Sequence, residues 1–507
     1  MDDSQEAVFA FLADPATHNG AAVKRIDTHA ASVFLAGERA LKVKHAVRFP
    51  FLDYSTLEKR KAACDAELEV NRGFAPELYR GVVAVTRQDG RLALGGDGGP
   101  VEWAVEMRRF DEDATLDRLA EQGRIDTALA DRLGRTVAAA HEKAPAVAAE
   151  PWIGALATYL DQNAAAFRAA SELFPADDAA ALDDASRAAF ARVRPLLAAR
   201  GHAGLIRRGH GDLHLGNIVL VDDEPVLFDA IEFDPLIAAG DVLYDLAFLV
   251  MDLIERDLTG AANIVLNRYL AETRRDDDLD ALAALPLFLS VRAAIRAKVT
   301  AARLDDAATD KRPKIAQSAQ TYFRLACRLI APSSPRLIAV GGLSGTGKSV
   351  LARALAAHVA PDPGAVVVRS DVARKALFGV GETERLPAEA YTPEVMRKVY
   401  AVLGDKARRM IAAGHSAIVD AVFAKPEERA AIAAVAHDCN VPFLGLFLTA
   451  DLAIRIGRVG ARERDASDAG ADVARAQESY DIGAIDWTQV DASGTPEDTL
   501  AHAKAKL

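Results

Sequence analysis

Along residues 21–110 apolar and polar positions alternate in short runs. Ala22–Asp27, Ser32–Leu35, Ala40–Lys44, Leu78–Val85 and Glu102–Met107 read as strands, because a strand turns successive side chains to opposite faces. Gly37, Gly90 and the run Gly95–Pro100 punctuate them as turns. Two stretches replace alternation with helical spacing: residues 5–14, and residues 54–73, which close before Pro76. From about 115 to 200 helical spacing dominates. The pattern predicts a small sheet with one helix, then a mainly helical lobe.

Beyond residue 335 the pattern changes. Arg336–Gly341, Gly364–Arg369, Ser416–Asp420, Val441–Leu448 and a run near Ile485–Val490 read as buried strands with helical stretches between them. Strands alternating with helices imply a parallel five-stranded sheet covered on both faces, with ligands at the carboxyl ends of its strands. The segment Ala331-Pro-Ser-Ser-Pro335 between the two patterns reads as a short, stiff linker. The expected organisation is therefore residues 1–330 (a lobe of about 20–110 and a helical lobe of about 111–330), a linker at 331–335, and residues 336–507. The fold class is α+β for the first domain and α/β for the second.

Composition narrows the function classes. Half of the 507 residues are hydrophobic, enough for large cores. No run of eighteen apolar residues occurs, and the start Met1-Asp-Asp-Ser-Gln-Glu lacks a basic segment, which argues against membrane insertion and secretion. Cys64, Cys327 and Cys439 show no metal-ligand spacing and read as free thiols in a reducing cytoplasm. The net charge of −12 disfavours a broad nucleic-acid surface, though it leaves room for a local basic pocket. Nothing in the sequence sets the oligomeric state.

The candidate chemistry lies in two motifs. Gly342-Leu-Ser344-Gly345-Thr346-Gly347-Lys348-Ser349 fits G-x-x-x-x-G-K-[ST] between a strand and a helix. The glycines let backbone N–H groups turn toward phosphate oxygens, Lys348 would reach the β- and γ-phosphates, and the Ser349 hydroxyl would ligate Mg²⁺. In the first domain, His210-Gly-Asp212-Leu-His214-Leu-Gly-Asn217 carries an Asp and an Asn at the spacing of a kinase catalytic loop. There the Asp meets the acceptor hydroxyl and the Asn holds Mg²⁺. A strand then ends at Asp229, a second oxygen ligand for a hard cation. Upstream, Ala40-Leu41-Lys42 fits the Ala-x-Lys of a nucleotide-binding strand. Lys44, on the same face, competes with Lys42 for the phosphates. The partner carboxylate on the following helix is Glu67, with Glu69 as the second choice. Met107–Phe110 would meet adenine through backbone groups.

The His-Gly-Asp-Leu-His-x-x-Asn motif resembles that of the aminoglycoside phosphotransferase and choline kinase-like family. This resemblance implies a bilobal protein-kinase-like fold for the first domain. Thr28-His-Ala-Ala-Ser32-Val33 departs from protein kinases in having no glycine-rich loop; the resembling families use Ser hydroxyls or backbone amides instead. The same resemblance makes Asp241 and Asp245 structural braces. The acidic run Arg275–Asp280 reads as a solvated helix start.

The second domain resembles the small P-loop kinases: polynucleotide 5′-hydroxyl kinase, chloramphenicol phosphotransferase, gluconate kinase and zeta toxin. On that resemblance Asp371 faces the acceptor hydroxyl, Arg374 binds the acceptor, and Asp420 serves catalysis at the end of the third strand. The arginines Arg455, Arg458, Arg462 and Arg464 resemble the lid over the transferring phosphoryl group, with Arg458 on the nucleotide and Arg462 and Arg464 catalytic. Together the resemblances imply a fusion of two ATP- and Mg²⁺-dependent kinases acting on hydroxyls of small molecules. Two readings stay open: two active sites, or one active kinase regulated by an ATP-binding sensor domain.

Overall fold

The computed structural model describes residues 3–49, 52–305, 307–460 and 466–507. The chain packs into two compact units: Met1–Tyr159 with Arg194–Asp252, and Leu160–Val193 with Leu253–Leu507. Among the described residues no helix is long and apolar enough to cross a membrane.

The first unit opens on a six-stranded antiparallel sheet. Its strand order is Val23–Asp27, Ala31–Ala36, Arg39–Lys44, Gly99–Arg108, Tyr79–Gln88 and Arg91–Leu94. All the expected strands are present. Arg91–Leu94 was not expected, since four residues between two turn signals carry too little pattern to register. Alternation sorts the Arg39–Lys44 strand cleanly. Leu41 and Val43 face a core with Phe34, Val85 and the helix residues Phe9 and Leu12, which leaves Lys42 and Lys44 on the opposite face. On that face lies the helix Leu57–Arg72, which Thr56 caps through the Lys59 N–H.

Helices Leu116–Glu121, Thr127–Lys143, Ala149–Ala169 and Ala176–His202 fill the stretch expected to be helical. Two small antiparallel pairs follow. Ile206–Arg208 pairs with Ala239–Asp241, and Ile218–Val221 pairs with Glu224–Leu227. The second pair is a hairpin closed by Asp222 and Asp223, both at positive φ (52° and 64°), as a tight two-residue hairpin turn demands. Its register, Ile218 opposite Leu227, brings the flanking Asn217 and Asp229 to the same open end.

The second unit contains a five-stranded parallel sheet in the order Val366–Arg369, Ala417–Asp420, Leu337–Gly342, Phe443–Thr449, Thr488–Asp491. All five expected strands are there. Ile338, Val340, Ile418, Leu446 and Leu448 build its core against the helix Lys348–Ala356. The segment 331–335 lies inside this unit, joining the helix Arg312–Ile330 to the first strand.

Helices upstream of that segment pack onto the sheet. Val366–Arg369 is an edge strand, and the helix Thr259–Thr273 covers it with two amide side chains. Val367 N donates to Asn267 Oδ1 at 2.7 Å, and the Nδ2 groups of Asn263 and Asn267 donate to Ala365 O at 3.0 and 3.1 Å. The acidic run does start a helix, Asp276–Asp280, with Asp276 and Asp277 exposed, but it is not merely solvated. Asp276 pairs with Lys406 at 2.7 Å, Asp280 with Arg409 at 2.8 Å, and the buried Asp278 with Arg275 at 3.0 Å. Its charge is matched within the unit by the helix Pro393–Ala412.

Candidate active sites

The first site forms where the six-stranded sheet, the helix Leu57–Arg72 and the Ile218–Leu227 hairpin meet. Lys42 Nζ lies 2.9 Å from Glu67 Oε1 and 2.5 Å from Asp229 Oδ1. Lys44 Nζ lies 2.5 Å from Glu67 Oε2 and 2.5 Å from Glu232 Oε1, with Tyr54 OH also on Glu232 at 3.0 Å. Glu67 is fully buried between both lysines. Burial works to raise its pKa, but Lys42 and Lys44 win and hold the carboxyl below its usual range. Burial likewise works against a charged Lys42, and Asp229 and Glu67 overcome it and raise its pKa. The two lysines thus divide. Lys44 is enclosed between carboxylates, whereas Lys42 touches Asp229, whose side chain is 45% exposed. Glu69 has no place in this network.

The loop from His210 is fixed from behind. Asp245 Oδ2 accepts from His210 N at 2.8 Å and Oδ1 from Gly211 N at 3.0 Å, while His141 Nε2 lies 3.1 Å from the same carboxylate. Asp241 pairs with buried Arg200 at 2.6 Å. Both are braces, as the sequence implied. Burial keeps His210 neutral by lowering its pKa, and its Nε2 meets Phe228 O at 2.9 Å. Asn217 Nδ2 donates to Asp212 Oδ2 at 3.0 Å, which turns its Oδ1 away from Asp212. Asn71 clamps the far side: Ala230 N donates to its Oδ1 at 2.7 Å. Asp229 itself sits at φ 60°, a left-handed conformation that Asp tolerates better than most residues.

Asp212, Asn217 and Asp229 thus present oxygens at one open edge. Among the described residues no cluster of three or more His, Cys, Asp or Glu side chains is placed to hold a metal alone. A carboxamide and carboxylates fit a hard cation that completes its shell with phosphate oxygens and water, as Mg²⁺ does. Two expected contacts change. The Ser32 hydroxyl is buried against Asp27 Oδ1 (2.5 Å) and His45 Nε2 (2.8 Å), so it does not face a phosphate. In the Met107–Phe110 segment, the N–H groups of Arg108 and Arg109 are already bonded to Leu78 O and Glu38 O.

The second site lies wholly in the second unit, around a cavity of about 1630 Å³. Its floor is the loop after the Leu337–Gly342 strand. Gly345 (φ 88°) leaves no room for a side chain, since an added Cβ would meet Arg455 O at 2.5 Å. Gly347 (φ 93°) begins the helix Lys348–Ala356 and faces open space. Lys348 Nζ donates to Leu343 O at 3.1 Å, spanning the loop, and Thr346 Oγ1 donates to the same carbonyl at 2.9 Å. Ser349 Oγ donates to Asp420 Oδ2 at 2.5 Å, so the expected metal ligand and the third-strand carboxylate share one point. Ser344 departs from expectation. Its N–H donates to Gln477 Oε1 (2.6 Å) and its carbonyl accepts from Arg455 Nε (2.9 Å), so it fastens the loop.

Asp371 and Arg374 stand together on the cavity wall at 3.0 Å. Arg374 is buried, its Nη2 meets the Met396 sulfur at 3.0 Å, and its guanidinium stacks 4.8 Å over the Tyr391 ring. Asp468, also on the wall, accepts from Tyr391 OH at 2.6 Å and pairs with buried Lys375 at 3.2 Å. The lid arginines part company. Arg455 is buried against Ser344, Ala474 and Glu478, a fastener and not a ligand group. Arg458 lines the cavity, but both its Nη groups donate to Ala492 O and Gly494 O at 2.7 and 2.8 Å. Arg462 and Arg464 lie outside the described residues.

Sequence reasoning missed Glu232, Asn71, Asp468, Gln477 and Arg369. Arg369 Nε lies 3.4 Å from Asp420 Oδ2. Only its position two residues before Asp371 marks it in the sequence, and nothing there links it to Asp420.

Two family models match the chain. One described as the phosphotransferase enzyme family covers residues 54–285, and one described as an AAA domain covers residues 337–480. An uncharacterized protein of Mycobacterium tuberculosis (strain H37Rv) is 30% identical over 489 residues, spanning 94% of each chain. An uncharacterized protein of Mycobacterium bovis matches to the same extent. Among solved structures, a choline/ethanolamine kinase family protein from Mesorhizobium loti is 16% identical and covers 64% of this chain and 94% of its own, at a TM-score of 0.40. A gluconokinase from Sinorhizobium meliloti 1021 is 19% identical and covers 34% and 90%, at a TM-score of 0.26.

Proposed function

The chain belongs to the family of these mycobacterial proteins and is a phosphotransferase built from two kinase-type domains; we propose that both domains are active, each with ATP and Mg²⁺ on a hydroxyl of a small molecule. The domains are taken as residues 1–330 and 336–507. Each family match falls inside one of them.

One observation carries this reading. Each site holds a cation for phosphate, an oxygen set for metal and a separate carboxylate for an acceptor. In the first these are Lys42, then Asn217 with Asp229, then Asp212. In the second they are Lys348, then Ser349 with Asp420, then Asp371. Bound Mg–ATP supplies the phosphoryl group and most of the charge neutralisation. The protein supplies position and fixed charge. Asp212 and Asp371 each accept the hydrogen bond of an acceptor hydroxyl and take its proton as transfer proceeds. Arg374, buried with Nε unpartnered among the described residues, binds an anionic or polar group of the second acceptor.

The test uses two full-length variants, Asp212→Asn and Lys348→Ala, incubated with labelled ATP and a metabolite pool. Each variant should lose a different labelled product and keep the other. If Asp212→Asn never changes a product, the first domain is a sensor and the second alone is the enzyme.

A further inference from the structure

Asp420 ends a line of alternating charges that leaves the P-loop domain. Arg369 Nε lies 3.4 Å from its Oδ2. Arg369 Nη1 lies 3.7 Å from Glu382 Oε1, and Glu382 Oε2 accepts from Arg268 Nη1 at 2.6 Å. The middle of the line is shielded: the side chains of Asp420, Arg369, Arg268 and Glu382 are 4%, 9%, 17% and 24% exposed. Ion pairs at such exposure are screened less than surface pairs. Arg268 stands on the helix Thr259–Thr273, beside the Asn267 that holds the edge strand carrying Arg369. That helix lies within residues 54–285, the phosphotransferase match, and not within the P-loop match.

We infer that Arg268 is a positioning residue of the second site, acting through Glu382 and Arg369 on Asp420. This rests on the proposed role of Ser349 and Asp420 at the metal. Glu382 is held between two cations. Without Arg268 its whole charge falls on Arg369, which swings from Asp420 toward Glu382. Asp420 then loses the neighbouring positive charge that holds its carboxylate beside Ser349. Partners of metal-site carboxylates tune affinity in this way, by about 10–100-fold when they touch the ligand directly. One step further out, the expected effect is about three- to tenfold.

The experiment measures Mn²⁺ binding by electron paramagnetic resonance, with a non-hydrolysable ATP analogue present. Full-length protein carrying Asp229→Ala is used, so that the first site is silenced. Lys348→Ala in that background should abolish the nucleotide-dependent signal, which assigns it to the P-loop. Arg268→Gln should then weaken Mn²⁺ about three- to tenfold, and Arg268→Lys, which keeps the charge, should stay within about twofold of the parent. Lys406→Ala breaks the Asp276 pair between the helices Asp276–Asp280 and Pro393–Ala412, likewise across the two family matches, without touching the relay, and should leave the midpoint in place. An unmoved midpoint in Arg268→Gln overturns the inference, as does an equal shift in Lys406→Ala, which would mean general loosening. If the signal is already missing before Arg268 is changed, the proposed second site fails and the relay with it.

Discussion

Lys42 and Lys44 stand two residues apart on one strand and share the two oxygens of Glu67, at 2.9 and 2.5 Å. Their remaining contacts give them different work. Lys42 goes on to Asp229 at the open edge, and Lys44 goes on to buried Glu232. Lys42→Met should therefore lower first-site turnover by about a hundredfold, the usual cost of removing one fixed charge from a transfer site, with little loss of stability. Lys44→Met takes the enclosed cation from between Glu67 and Glu232, leaving them only Lys42 and the Tyr54 hydroxyl, and should cost about 3–5 kcal/mol of folding free energy. ATP titration and urea unfolding of both variants check this. A stable Lys44→Met that no longer binds ATP would hand the phosphate role to Lys44.

Asp371 pairs with Arg374 on its own helix, Ser370–Leu377, and among the described residues not with the loop that cradles phosphates. Asp371→Asn should keep ATP affinity within about twofold and cut second-site turnover by about 10²–10⁴-fold, the range of a lost general base. Nucleotide binding by calorimetry, set beside turnover at saturating ATP, separates the two effects. Collapse of ATP affinity would move Asp371 into the nucleotide site.

Asn267 does the work of a neighbouring strand at the sheet edge. Asn267→Ala leaves Val367 N and one bond to the Ala365 carbonyl unmade, and should cost about 1–3 kcal/mol. Chemical denaturation of the full chain reads the loss. The fragment 336–507 lacks the whole covering helix, exposes the Val366–Arg369 edge, and should aggregate where a fragment beginning before Leu253 stays dispersed. Light scattering distinguishes them, and a monodisperse 336–507 would show that the edge needs no cover.

His415 is fully buried, with Nε2 on Gly364 O at 2.9 Å, and burial lowers its pKa from 6.5 to about 4. The ring is neutral in the fold and takes a proton more readily when unfolded. Its contribution is complete above pH 6.5 and falls as pH drops toward 4, by about 3 kcal/mol over that window. His415→Gln, which can still donate to Gly364 O, should flatten the slope of stability against pH between those values. A slope unchanged in the variant would place the acid sensitivity elsewhere.

The legible parts of this molecule were those written in local spacing. Asp212 and Asn217 are five residues apart with Asp229 one hairpin later, so the motif and the geometry are the same object. The glycine loop is legible for the same reason. The arginines after the fourth strand were harder. Arg455 and Arg458 have the charge a phosphate lid needs, but a guanidinium satisfies a backbone carbonyl equally well, and composition does not say which it faces. Arg369, Glu382 and Arg268 were invisible, because each finds its partner through a fold that brings distant residues together. The acidic run misled in the opposite direction. Two of its four aspartates, Asp276 and Asp280, look free until Lys406 and Arg409 are folded against them.

The amide clasp from Asn263 and Asn267 to the edge strand changes what a break in the polypeptide would mean. Hydrolysis between Ser333 and Ser334 would cut the covalent thread but none of these contacts. The two pieces should stay together as a split protein, and should find each other again when produced separately in one cell. The same clasp bears on how such a gene could be divided in evolution. A P-loop half released on its own would first have to acquire a new edge, whether a helix, a proline or a charged strand, before it could exist alone in solution.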